Sequence, residues 1–134
     1  MAKILIVEDN ALNIKLFCDL LAAHGHDAQA VTDSRGALDR AREFGPDLVI
    51  TDIQLPHVSG LELIRMLRDD EQLKSVPIMA VTAYAASGDE ERIRSAGAQA
   101  YVSKPISVAK FVAQVDELLG PELKGVKPPE PRAT

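Results

Sequence analysis

Short continuous apolar runs alternate along this chain with longer stretches whose apolar residues recur at helical spacing. Ile4-Leu5-Ile6-Val7, Leu48-Val49-Ile50-Thr51 and Ile78-Met79-Ala80-Val81 are unbroken runs, and such continuity predicts strands buried on both faces, as in a parallel sheet covered by helices. Two weaker runs, near Ala28 to Val31 and at Ala100 to Ser103, suit sheet edges. Between the runs, Ile14, Phe17, Cys18 and Leu21 fit one buried face of a helix that starts near Asn10 and ends before Gly25. A second helix begins at an Asp33 or Ser34 cap, buries Ala37, Leu38, Ala41 and Phe44, and stops at Gly45-Pro46. The third and fourth open on capping boxes, Ser59 to Glu62 and Ser87 to Glu90. They bury Leu63, Ile64, Leu67 and Ile93, and Gly97 ends the fourth. The fifth carries Phe111, Val112, Val115, Leu118 and Leu119. This alternation with short connections predicts an α/β fold, a doubly wound five-stranded parallel sheet with strands two and five at its edges.

The polar residues that close these runs carry the chemistry. Glu8-Asp9 follows the first strand, Asp52 the third, Thr82 the fourth and Lys104-Pro105 the fifth. In an open parallel sheet the ligand crevice lies outside the carboxyl ends of the strands, so these groups should converge. Carboxylates so close together repel and need either raised pKa values or a divalent cation between them. An oxygen-only, partly open site suits Mg²⁺, which keeps several waters and takes one or two carboxylates plus a phosphoryl oxygen. A lysine and a threonine beside it would neutralise and hydrogen-bond the remaining phosphoryl oxygens. Asp52 would then be the nucleophile of an acyl-phosphate chemistry.

Composition narrows the class further. The chain is 46% hydrophobic with few aromatic residues and no Trp, which fits one domain packed with Val, Ile, Leu and Ala. A net charge of −5 argues against a nucleic-acid surface. A single cysteine, Cys18, excludes an internal disulfide and reads as a core residue. His24, His26 and His57 lie on turns without metal-ligand spacing and are expected to be solvated. The apolar segment after Met1 is too short for a signal peptide or a membrane span, so the expected location is the cytoplasm, away from the membrane. The domain is expected to span residues 1–119, and 120–134, with four of the eight prolines, to form a disordered tail.

Glu8-Asp9, Asp52, Thr82, Tyr101 and Lys104-Pro105, at these intervals, resemble the receiver domain of two-component response regulators over Ala2 to Leu119. Asp89 to Arg94 and Tyr101 to Val108 look like the free-standing members of that family that control cell division. The resemblance implies a flavodoxin-like sheet of order 2-1-3-4-5. It also implies phosphorylation of Asp52 by a sensor histidine kinase or a histidine phosphotransfer protein. Asp9, Asp52 and the backbone carbonyl of Gln54 would hold Mg²⁺ directly. Glu8, where many receivers carry Asp, would act through a water. Lys104, joined to Pro105 by a bond that is cis in the family, and Thr82 would bind the phosphoryl oxygens. Movement of Thr82 would let Tyr101 turn inward, repacking the helix-four, strand-five, helix-five face that addresses a downstream protein. Gln54 and Tyr84 would flank the path of the hydrolytic water. Leu12, Leu16 and Leu20 recur every four residues opposite the buried face of the first helix. With Asn13, at the rim of the acid pair, they are the expected partner-binding surface.

Three other readings are weaker. An Asp-nucleophile phosphatase needs a second acid two residues after the nucleophile, and Gln54 there can neither protonate a leaving group nor activate water. A pseudo-receiver that only binds partners would lack an acid, the Thr or the Lys, and this chain has them all. No glycine-rich nucleotide motif is present.

Overall fold

The computed structural model describes residues 2–83, 89–104 and 106–123. In chain order the elements are β1 (Lys3–Val7), α1 (Ala11–Ala23), β2 (Asp27–Val31), a 3-10 turn (Ser34–Gly36) leading into α2 (Ala37–Phe44), β3 (Leu48–Asp52), α3 (Gly60–Asp69), β4 (Ile78–Thr82), α4 (Asp89–Ala96), β5 (Ala100–Ser103) and α5 (Val108–Leu123). The strands form one parallel sheet of order β2-β1-β3-β4-β5. The continuous apolar strands are central and the weaker ones lie at the edges, as the hydrophobic pattern requires.

Alternation along each strand divides the core into two layers. Leu5, Val7, Val49, Ile78 and Ala80 face Ala37, Ala41, Leu63, Ile64, Leu67 and Ile93 of α2, α3 and α4. Ile4, Ile6, Leu48, Ile50, Met79, Val81 and Val102 face Phe17, Leu21, Phe111, Val115 and Leu119 of α1 and α5. Phe17 and Phe111 stack with their ring centroids 5.2 Å apart and join these two helices. Cys18 is half-buried in this second layer, and burial pushes its thiol pKa up.

Local signals set most helix ends. The Asn10 side chain accepts the N–H groups of Leu12 and Asn13 and opens α1. Ser59 accepts the Glu62 N–H, the expected cap of α3. Gly45 ends α2 with φ 63°, a left-handed conformation that a side chain disfavours. Gly60 follows its cap because a side chain there would run into the Asp52 carbonyl oxygen and the Ile53 Cα.

Two expectations need correction. Ser34 does not cap α2: Asp33 caps the 3-10 turn, Ser34 points inward at 2% exposure, and α2 begins only at Ala37. The fifth helix carries its buried Leu119 and runs on to Leu123. His26 is not solvated. The chain folds back after α1 so that the Asp27 N–H bonds the Ala2 carbonyl, and the imidazole Nδ1 accepts the Ala2 N–H at 3.2 Å in a site only 6% exposed. Ser87, Tyr84, Pro105 and residues 124–134 lie outside the described residues. Among the described residues no helix is long and apolar enough to cross a membrane.

Candidate functional site

Sheet register brings the polar strand ends level. Val7 pairs with Thr51, Asp52 with Val81 and Thr82 with Ser103, so Glu8, Asp52, Thr82 and Lys104 leave neighbouring strands at the same end. Strand alternation then sorts them. Asp52 continues the parity of Leu48 and Ile50, and Glu8 that of Ile4 and Ile6, toward α1 and α5. Thr82 continues the parity of Ile78 and Ala80 on the opposite layer. Tyr101 pairs with Ala80 and therefore shares the Thr82 face, half-buried against the same layer.

Glu8, Asp9 and Asp52 each offer an oxygen, all within 4.8 Å of one another. Glu8 is 1% and Asp52 6% exposed, whereas Asp9 is open to solvent. Lys104 Nζ donates to Asp52 Oδ2 at 2.8 Å and to Glu8 Oε1 at 3.2 Å. The Gln54 N–H donates to Asp52 Oδ1 at 3.0 Å. Glu8 also accepts the Asn10 N–H at 3.1 Å and, more weakly, the Asn13 side-chain amide at 3.4 Å.

Charge follows from this geometry. Burial and the neighbouring Asp52 carboxylate raise the Glu8 pKa, and the Asn10 N–H and Lys104 only partly oppose them. Burial pulls the Lys104 ammonium down, but its bonds to Asp52 and Glu8 outweigh that and hold it above its usual range. Among the described residues one ammonium faces three carboxylates, which leaves the cluster short of positive charge. The donors are hard oxygens on a partly open rim, which fits Mg²⁺ better than any softer ion. The carboxylate cluster is thus positioned to chelate a divalent metal.

The remaining sequence candidates fall in different places. Gln54 is exposed on the β3–α3 loop and Thr82, at the end of β4, is 2% exposed. Leu12 and Leu16 are 79% and 39% exposed on α1. Leu20 is not part of that open stripe but packs on the α1/α5 layer. Each four-residue step turns about 40° around a helix, enough to carry the third leucine toward the core. Asn13 lies on the side of α1 that meets Glu8. Sequence reasoning missed two contributors. Asn10, next to the acid pair, both caps α1 and bonds Glu8, and its place before an apolar helix was the available signal. Ser34 bonds the Pro56 carbonyl and the Val58 N–H, and no local pattern reveals partners so distant in sequence.

Comparison with known proteins agrees with this site. Residues 4–116 match the response regulator receiver domain. Over 117 residues the chain is 54% identical to the polar-differentiation response regulator DivK of Brucella ovis, covering 87% of this chain and 95% of that protein. The DivK of Brucella anthropi is 53% identical over the same length. The chemotaxis protein CheY4 of Vibrio cholerae superposes with a TM-score of 0.83 at 25% identity, covering 89% of this chain and 99% of that one. The receiver domain of a Pseudomonas aeruginosa sensor histidine kinase, solved with a magnesium ion in its active-site cleft, gives 0.82 at 32% identity, covering 90% and 98%. With an acid pocket suited to Mg²⁺-dependent phosphorylation of an aspartate and the receiver match spanning most of its length, the chain belongs to the response regulator receiver domain family.

Proposed function

We propose that Asp52 accepts a phosphoryl group from the phosphohistidine of a sensor histidine kinase or histidine phosphotransfer protein, and that the phosphorylated form signals by binding another protein. The observation that carries this reading is the two-sided hold on one buried carboxylate. The Gln54 N–H fixes Asp52 Oδ1 and Lys104 fixes Oδ2, so the carboxylate is held in one orientation from both sides. In the transfer the phosphorus–nitrogen bond of the donor breaks as the Asp52 oxygen–phosphorus bond forms, and the imidazole keeps the bonding pair and takes a proton. Glu8, Asp9, Asp52 and the Gln54 carbonyl would hold Mg²⁺, which supplies the positive charge that lets an anionic phosphoryl group approach the acids. Lys104 then turns from Asp52 to the incoming phosphoryl oxygens, and Thr82 bonds another of them.

Thr82 and Tyr101 project from the same sheet face on adjacent strands, which supports a switch in which withdrawal of Thr82 gives the tyrosine ring room. The surface so repacked, α4, β5 and α5, is the proposed contact for the downstream protein. Similarity to polar-differentiation regulators supports a role in cell-division control, and the proposed location is the cytoplasm. Gln54 and Tyr84 are proposed to tune hydrolysis of the acyl phosphate, and the domain to be followed by a Pro-rich tail. Intact-mass measurement after incubation with acetyl phosphate tests the core of this. One phosphoryl group is expected with Mg²⁺, none without it, and none on Asp52→Asn. Stable labelling of Asp52→Asn at another residue would refute the assignment.

A further inference from the structure

We infer that Ser34, on the connection between β2 and α2, is a positioning residue for the phosphoacceptor site, holding the β3–α3 loop that carries Gln54. This rests on the reading of Asp52 and Gln54 given above. The Ser34 hydroxyl is buried, donates to the Pro56 carbonyl at 2.9 Å and accepts the Val58 N–H at 3.2 Å. Those two peptide groups flank His57, which at φ 70° is the one non-glycine residue in the left-handed region among the described residues. Its side chain is exposed, so the contacts that impose the strained conformation come from the backbone on either side. Such a conformation persists where surrounding structure over-determines it, and it gathers at functional sites.

The rest of the loop is held at its base. The Gly60 N–H bonds the Ile53 carbonyl at 2.9 Å, the absent side chain of Gly60 lets α3 start against the Asp52 and Ile53 backbone, and the Gln54 N–H bonds Asp52 itself. The hydroxyl of Ser34 ties the far end, from an element 22 and 24 residues away in sequence. Asp33 keeps that hydroxyl inward by capping the 3-10 turn through the Arg35 N–H. Without the hydroxyl, Pro56 and Val58 lose their tether, His57 relaxes toward negative φ, and the rotation runs back through Leu55 to the Gln54 carbonyl. Asp52, fixed in the sheet, stays in place. The loss therefore falls on metal binding rather than on the nucleophile.

The test is calorimetric titration with MgCl₂, without a phosphodonor, of wild type, Ser34→Ala, Ser34→Cys and, as a control, Asp47→Ala. Asp47 accepts the Lys3 N–H at 2.9 Å near the start of β1, so its loss removes a side-chain bond to a distant backbone N–H without touching the loop. Ser34→Ala is expected to bind Mg²⁺ about tenfold more weakly, the usual scale for an outer-shell partner. Its Val58 amide should also exchange faster with deuterium. Asp47→Ala should do neither. Ser34→Cys fills the site with a somewhat larger but poorly hydrogen-bonding group, and it carries the same expectation should the alanine variant fail to fold. Mg²⁺ binding as tight as wild type in the Ser34 variants, or a Val58 amide still protected in them, overturns the proposal. If wild type itself binds no Mg²⁺, the metal reading falls first and takes this one with it.

Discussion

Lys104 reaches across the sheet to lie 2.8 Å from Asp52, and the same ammonium touches Glu8. It is the cation through which two buried acids tolerate each other in the absence of metal. Replacing it by methionine keeps most of the stem and deletes the charge, which removes the counter-ion that the adjacent carboxylates share. Lys104→Met is expected to lose about 2 kcal/mol of stability in chelator, a moderate figure because the pocket is partly open. Mg²⁺ should restore much of that loss. Denaturant titration with and without Mg²⁺ checks it, and equal losses in both buffers would show that metal and lysine do not share one charge deficit.

That the acids would meet was legible from the sequence, because Glu8, Asp52, Thr82 and Lys104 all end apolar runs and a parallel sheet aligns such ends. Which face each would take follows from strand parity once the register is known, and register is not written in any one strand. Leu12, Leu16 and Leu20 looked equivalent in sequence, yet only the first two stay open, because the drift of the stripe around α1 depends on where α5 packs. His26 and Ser34 were misjudged for a common reason. Both are polar residues at turn positions whose burial is imposed by backbone groups far along the chain, Ala2 in one case and Pro56 and Val58 in the other.

His26 sets a pH dependence. Burial, the positive chain terminus and His24 hold its pKa below the ordinary 6.5, against an opposing pull from Asp116. Its Nδ1 is occupied by the Ala2 N–H, so a second proton must displace that bond. The unfolded chain takes up the proton more readily than the folded one, so stability is full above about pH 6.5 and falls as pH drops through the depressed folded value. His26→Asn offers a side-chain oxygen to the same N–H and does not titrate. Between pH 7.5 and 5.5 the wild type should lose more melting temperature than His26→Asn, and parallel losses would count against the assignment.

Arg68 staples the end of the sheet remote from the acids. Its guanidinium bonds the carbonyls of Gly97 at 2.9 Å, Lys74 at 2.9 Å and Val76 at 2.6 Å, and Gln99 Oε1 at 2.6 Å. Gln99 Oε1 also accepts the Ile78 N–H at the start of β4. Arg68→Ala is expected to cost about 3 kcal/mol, since several acceptors lose a charged donor together. Arg68→Lys should recover little, because one ammonium cannot span a fork of partners. Mg²⁺ affinity should be unchanged in both variants, which calorimetry and thermal melts can separate.

The exposed leucines of α1 make the last prediction. Leu12, at 79% exposure, sits in the first turn beyond the acid pair, and Leu16, at 39%, follows one turn later. Apolar side chains at the mouth of a phosphoacceptor site suit insertion between the helices that present a phosphohistidine. A charge at either position should therefore slow transfer from a cognate kinase while sparing labelling by acetyl phosphate, which needs no docking. Leu20 supplies the contrast, because it packs on the α1/α5 layer. Leu12→Glu and Leu16→Glu are expected to melt near the wild type, whereas Leu20→Glu should lose about 2 kcal/mol by burying a charge. Phosphotransfer rates measured beside acetyl phosphate rates decide the matter. If Leu12→Glu and Leu16→Glu slow both donors alike, the leucines act on the site itself and the docking surface lies elsewhere.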